Sequence, residues 1–144
     1  MNLQCHILHP DHPRIPHGFR KMAESVLSSI GETHDRMTII LCNDTLIRRL
    51  NRKFLNQDCV TDVISFDLST TEMDARHGEI YVNLDQVRVQ ANQFDVIFWN
   101  ELVRLTIHGI LHFYGYDDNT NNANKLMMKR QEELVQKYQG NLHW

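Results

Sequence analysis

The run 37–42 (MTIILC) is almost wholly apolar. A strand of that kind keeps no polar face for water, so it suits a sheet covered on both sides. The neighbouring segments offer the cover. Residues 17–30 carry Phe19, Met22, Val26, Leu27 and Ile30 at helical spacing, and Gly31 is a natural stop. After the strand, Asn43 or Asp44 could cap a helix with Leu46, Ile47, Leu50 and Phe54 on one side. Further strands are expected at 3–8 (LQCHIL), 61–68 (TDVISFDL) and 79–84 (EIYVNL). The last two form a hairpin across a polar stretch at 69–76, with Gly78 ending the turn. The loop 9–17 holds all three prolines, which exclude regular structure there. Helical spacing then covers 88–113 in one piece and 122–138 in another. The order β-α-β-α-β-β-α-α predicts an α+β fold, a small mixed four-stranded sheet packed with helices.

A chain of 144 residues with 42% hydrophobic content fits one domain, 1–144, able to fold without a stapling metal. The formal charge of -3 excludes a strongly basic nucleic-acid-coating protein, although a local basic groove remains compatible with it. Cys5, Cys42 and Cys59 are odd in number, far apart and form no CxxC pair. They read as reduced thiols in a cytoplasmic protein, with no membrane partner expected.

The segment 108–118 (HGILHFYGYDD) carries the chemistry. His108 and His112 are four apart in a helical pattern, so both imidazoles share one face, one turn apart. Gly115 permits a turn with φ > 0, after which the chain can fold back. Asp117 and Asp118 are then both candidates for a third ligand. Two imidazoles and one carboxylate leave a tetrahedral position open, as a catalytic zinc site needs. Gly109 stands where HExxH metalloproteases place their glutamate base, which argues against a peptidase of that type. It could instead let another element pack close to the ligands.

The same segment resembles the signature of the YbeY family of ribosomal RNA maturation factors, whose usual form is H-G-x-L-H-L-x-G-Y-D-H. Four more stretches agree: LNRKF at 50–54, DCVTDVISFD at 58–67, HGEIYVN at 77–83, and Met128 with Glu132 or Glu133 as a closing M-x-x-x-E. The resemblance implies a metal-dependent, single-strand-specific endoribonuclease. It implies a role in rRNA processing, above all 3′-end maturation of the small-subunit (16S) RNA, and in ribosome quality control. The partners it implies are single-stranded rRNA and the small ribosomal subunit with its proteins. By position, the family's three ligands fall on His108, His112 and Asp118, around one Zn2+ ion.

Two departures stand out. Residue 118 is Asp where most members have His, which keeps a good zinc ligand but makes the site one unit more negative. Leu55 stands where the family commonly has Arg. Without that guanidinium, either other groups hold a scissile phosphate, with Arg52, Lys53, Arg88 and Arg104 the cations at hand, or cleavage is weak.

The remaining roles are expectations. Asp117 could orient a ligand imidazole, act as general base, or cap the turn after Gly115. Arg104, one turn before His108, could contact phosphate or pair with Glu101. The resemblance places Thr61, Asp62 and Ser65 at the cleft border, with Asp62 a helper carboxylate or a local cap. Glu79 belongs to the cleft floor or to a solvated edge. Tyr116 could stack on a base, with core packing as its plain alternative. Arg48, Arg49, Arg52 and Lys53 make a solvated face or an RNA-backbone contact. Water attack and attack by the substrate's own 2′-hydroxyl both remain open. So do two other functions: an assembly factor with a mainly structural metal, and a metallohydrolase of a non-RNA substrate.

Overall fold

A computed structural model describes residues 1–72 and 75–144. The polar stretch expected at 69–76 therefore lies partly outside the described residues. The elements run β1 (Asn2–Ile7), α1 (Phe19–Ile30), β2 (Arg36–Cys42), α2 (Asp44–Phe54), β3 (Val63–Asp67), β4 (His77–Asn83), α3 (Leu84–Gln93), α4 (Phe98–Phe113) and α5 (Asn121–Tyr138). The sheet order is β1-β2-β4-β3. β1 and β4 both run parallel to β2, and β3 pairs antiparallel with β4.

The apolar run in β2 is covered on both faces, as its composition requires. Met37, Ile39 and Leu41 enter the larger core with Phe19 and Leu27 of α1, Ile107 and Leu111 of α4, and Leu134 of α5. Ile40 and Cys42 point the other way, into a smaller cluster with Ile64 and with Ile47 of α2. Burying each such aliphatic side chain contributes about 1.5–3 kcal/mol. Asn43 caps α2 by accepting the Leu46 N–H at 3.0 Å. Asp44, the other candidate, accepts instead from Asn83 Nδ2 at 2.7 Å.

Where one helix over 88–113 is expected, there are two. Asp95 takes a left-handed φ of 53°. The Phe94 N–H reaches Gln90 O at 2.9 Å and the Val96 N–H reaches Ala91 O at 3.0 Å. That closes α3 with a turn usually built on glycine. Phe94 and Ile97, which extend the apolar spacing in the sequence, are 65% and 61% exposed. Gly78 lies inside β4 rather than at a turn, and what calls for glycine there is close packing: a Cβ would come within 2.6 Å of the Phe113 ring.

α4 is buried around most of its circumference, as a central helix must be. Gly109 sets its distance from the sheet: a Cβ at that position would lie 2.8 Å from Val63 Cγ2 and 2.9 Å from Ile80 Cγ2. The Ser65 hydroxyl donates to Gly109 O at 2.8 Å and fastens β3 to the helix. Burial pushes the Cys5 thiol up to about 11 and the Cys42 thiol up to about 12, so neither is a ready nucleophile. Among the described residues, no helix is long and apolar enough to cross a membrane.

Candidate metal centre

His108 and His112 occupy successive turns near the end of α4, with ring centroids 4.5 Å apart and planes at 82°. Their Nε2 atoms face each other at 3.0 Å. His112 Nδ1 lies 3.1 Å from the carbonyl oxygen of Tyr116. A carbonyl only accepts, so His112 carries its proton on Nδ1 and keeps a lone pair on Nε2. His108 Nδ1 lies 2.8 Å from Gln131 Oε1, the same arrangement with a side-chain acceptor. Two lone pairs this close repel unless a cation lies between them. Ligand nitrogens on one tetrahedral zinc sit about 3.3 Å apart, close to what is seen. Asp118 completes a set whose ligand atoms all lie within 4.8 Å of one another. The donor set fits a metal ion.

The return turn follows from Gly115, at φ 98°. The Tyr116 N–H bonds back to Leu111 O at 3.0 Å, ending α4 in the hydrogen-bond pattern that favours glycine at this point. The chain then passes Tyr116, whose carbonyl holds His112, and reaches Asp118 on the surface.

Gln131 comes from α5 and is the functional neighbour that sequence reasoning missed. It is buried, 5% exposed, on the stripe that also holds Met127, Leu134 and Val135. A polar residue interrupting an apolar stripe was the available signal. Its amide nitrogen donates to Glu132 Oε2 at 3.3 Å. Arg104 Nε lies 2.9 Å from the same oxygen, and Arg104 Nη1 lies 3.0 Å from Glu101, itself buried. The Arg104 bond holds the Glu132 carboxyl below its ordinary range, and Glu132 then Glu101 hold the Arg104 guanidinium above its own.

Ser65 borders an open cleft of about 330 Å³ together with Val63, Asp67, His112 and Phe113. Asp117 Oδ1 accepts the Asn119 N–H at 3.2 Å, so it caps the turn, while Gln131 and the Tyr116 carbonyl orient the imidazoles. Arg104 pairs with Glu101, as one of its two expected roles has it, and also with Glu132. Asp62 accepts from Gln90 Nε2 at 3.0 Å. The Thr61 hydroxyl accepts from Asn51 Nδ2 at 3.3 Å, and its carbonyl accepts from Asn83 Nδ2 at 3.1 Å. Arg52 is carried by α2, on the other face of the sheet, where it and Arg48 share Asp58 at 2.7 Å. The Tyr116 side chain packs against the larger core. Glu79 accepts the Tyr81 hydroxyl. Leu55 caps the end of α2 and is 47% exposed.

A family model described as Endoribonuclease YbeY matches residues 8–139. A relative of that name from Flavobacterium psychrophilum is 40% identical over 109 residues, covering 76% of this chain and 76% of the relative. One from Chlorobaculum parvum is 40% identical over 116 residues, covering 78% and 80%. One from Geobacter metallireducens is 34% identical over 129 residues, covering 86% of each. Among solved structures, the solution structure of a Thermotoga maritima protein superposes with a TM-score of 0.64 at 28% identity, covering 94% of this chain and 88% of that one. With the family model spanning most of its length and relatives at this identity, the chain belongs to the YbeY endoribonuclease family.

Proposed function

We propose that the protein is a zinc-dependent endoribonuclease that cuts single-stranded RNA during ribosomal RNA processing, at the 3′ end of the small-subunit RNA. The observation that carries this is the His108–His112 pair, with Nε2 atoms 3.0 Å apart and both Nδ1 atoms already engaged. His108, His112 and Asp118 would hold one Zn2+. A bound zinc lowers the pKa of a coordinated water or polarises a phosphoryl oxygen.

The chain's own groups supply the rest. The Tyr116 carbonyl and Gln131 keep both Nε2 lone pairs turned inward. The cleft beside His112 gives a single strand access, with Ser65 at its border and Thr61 and Asp62 further along the same segment. Asp117, exposed next to Asp118, is the nearby carboxylate for taking up a proton. Arg52 and its α2 neighbours would meet the RNA backbone on the other face, and Tyr116 would offer its ring edge at the turn. The setting is cytoplasmic, on RNA of the small subunit and next to its proteins, with 1–144 acting as one unit.

One observation favours a second reading, an assembly factor that does not cut alone. Leu55 brings no charge, and Arg104 and Arg52 are both already paired with carboxylates. A non-RNA metallohydrolase of the HExxH kind is disfavoured, since Gly109 faces the sheet rather than the ligands.

The test is cleavage of a single-stranded 3′-end rRNA fragment by purified protein beside His112→Ala. Cleavage by the parent alone supports the enzyme, and its products, 5′-phosphate or 2′,3′-cyclic phosphate ends, separate water attack from 2′-hydroxyl attack. Equal cleavage by both points to a contaminant. No cleavage by the zinc-loaded parent transfers the assignment to the assembly factor.

A further inference from the structure

His112 and His108 are oriented by acceptors of different kinds. The Tyr116 carbonyl can only accept, so the His112 tautomer is fixed by the backbone. Gln131 is an amide, with an oxygen and a nitrogen of nearly the same shape. With Oε1 toward His108, the ring must carry its proton on Nδ1 and present a lone pair at Nε2. With the amide reversed, Nε2 of Gln131 would donate to Nδ1, the proton would sit on His108 Nε2, and that atom could not bind an ion. The identity of the amide atom facing His108 therefore decides which ring nitrogen of His108 is free to bind an ion.

The neighbours of Gln131 oppose that reversal. The Gln131 nitrogen points to Glu132 Oε2, which can only accept. Glu132 takes three contacts of 2.9–3.2 Å from the Arg104 guanidinium, and Arg104 also bonds to the buried Glu101. A reversed amide would turn its oxygen toward the Glu132 carboxylate, which offers no proton, and would give up the hydrogen bond that the Gln131 nitrogen now donates there.

We propose that Gln131, locked by Glu132 and Arg104, is the positioning residue that sets the His108 tautomer and so the affinity of the centre for its metal. Arg104 then serves the ligand through two other side chains instead of contacting phosphate. The proposal rests on the metal reading of the histidine pair.

The test compares parent, Gln131→Leu, Glu132→Gln and the double variant Gln131→Glu with Glu132→Gln. Long-range proton–nitrogen NMR of the metal-free proteins reads the two tautomers, and competition with a chromophoric chelator reads the zinc dissociation constant. Gln131→Leu should lose the His108 Nδ1–H preference, leave His112 unchanged, and weaken zinc by about 10–100-fold. Its thermal midpoint should not fall, since an apolar residue replaces a buried polar one. Glu132→Gln should weaken zinc by less. The double variant places an acceptor-only carboxylate against His108 and should restore both readouts. Parent-like tautomer and zinc affinity in Gln131→Leu would overturn the proposal. A parent that binds no zinc would instead overturn the metal reading, and the tautomer measurement alone would then decide the role of Gln131.

Discussion

The Tyr116 carbonyl oxygen lies 3.1 Å from His112 Nδ1, so the turn that leads to Asp118 is bonded to the very ring whose ion it would help to hold. Ligand orientation and ligand delivery depend on one backbone geometry, and Gly115 sets it.

Gly115→Ala should therefore weaken zinc more than it destabilises the fold. Among the described residues nothing lies within 4 Å of a Cβ at this position, so sterics are not the cause. A φ of 98° is the cause, and left-handed backbone costs an L-residue about 1–2 kcal/mol. Relaxation of that strain moves the Tyr116 carbonyl and Asp118 together. Zinc titration beside urea unfolding separates the two effects. A variant with reduced stability but parent affinity would contradict the coupling.

His108→Ala, His112→Ala and Asp118→Ala should each reduce bound zinc, while Asp118→His should retain it, since imidazole is an equally good ligand. Chelation should leave the protein folded. The histidines are half-buried, Asp118 is exposed, and the core is built from apolar residues of four strands and several helices. The expected signature is an unchanged far-UV spectrum with a midpoint lowered only by the lost ligand binding. Unfolding on chelation would favour the structural-metal reading.

Gly109→Ala should destabilise by about 1–3 kcal/mol, the usual range for overpacking. Val63 and Ile80 methyls at 2.8 Å and 2.9 Å are branched and held in the sheet, so they cannot swing away cheaply. Denaturant titration measures it. A neutral effect would mean that α4 can rise off the sheet without penalty.

Asp35 should make the fold acid-sensitive. It is buried at 1% exposure, which raises a carboxyl, but hydrogen bonds from the Tyr114 hydroxyl and from the Glu32 and Arg76 N–H groups outweigh burial and leave it below the usual value. A folded pKa below the unfolded value of about 3.9 means stability fully present above about pH 4 and lost as pH falls through the folded value. Asp35→Asn turns an NH₂ toward a ring of donors and should cost about 1–3 kcal/mol at neutral pH, while flattening the acid limb. Unfolding measured from pH 7 to pH 3 checks both. An acid limb as steep as the parent's would assign it to other carboxylates.

Much of this was readable from local pattern. The apolar run in β2 announced a sheet with two covered faces, the i,i+4 histidines shared a helix face, and Gly115 turned where a glycine was needed. Close packing at Gly109 was open to sequence reasoning because a missing side chain leaves room for a neighbour. The break at Asp95 escaped, since Phe94 and Ile97 continue the helical spacing although neither is buried. Gln131 escaped for another reason. Its partner His108 is 23 residues away on a different helix, and only packing of α5 on α4 brings them together.

The two faces of the sheet are unequally furnished, and that has a kinetic meaning. Among the described residues of α2 only Ile47 and Asn51 are buried; Ile47 meets Ile40, Cys42 and Ile64, Leu46 and Leu50 are partly buried beside them, and an exposed segment follows the helix. A helix held so lightly is a natural unit of subglobal opening, able to detach and return while the larger core stays intact. Its amides should exchange with solvent well before those of α4. A protease should find its first cut at 55–60, on the side of the sheet that does not carry the metal ligands, so a nicked chain could still hold its ion.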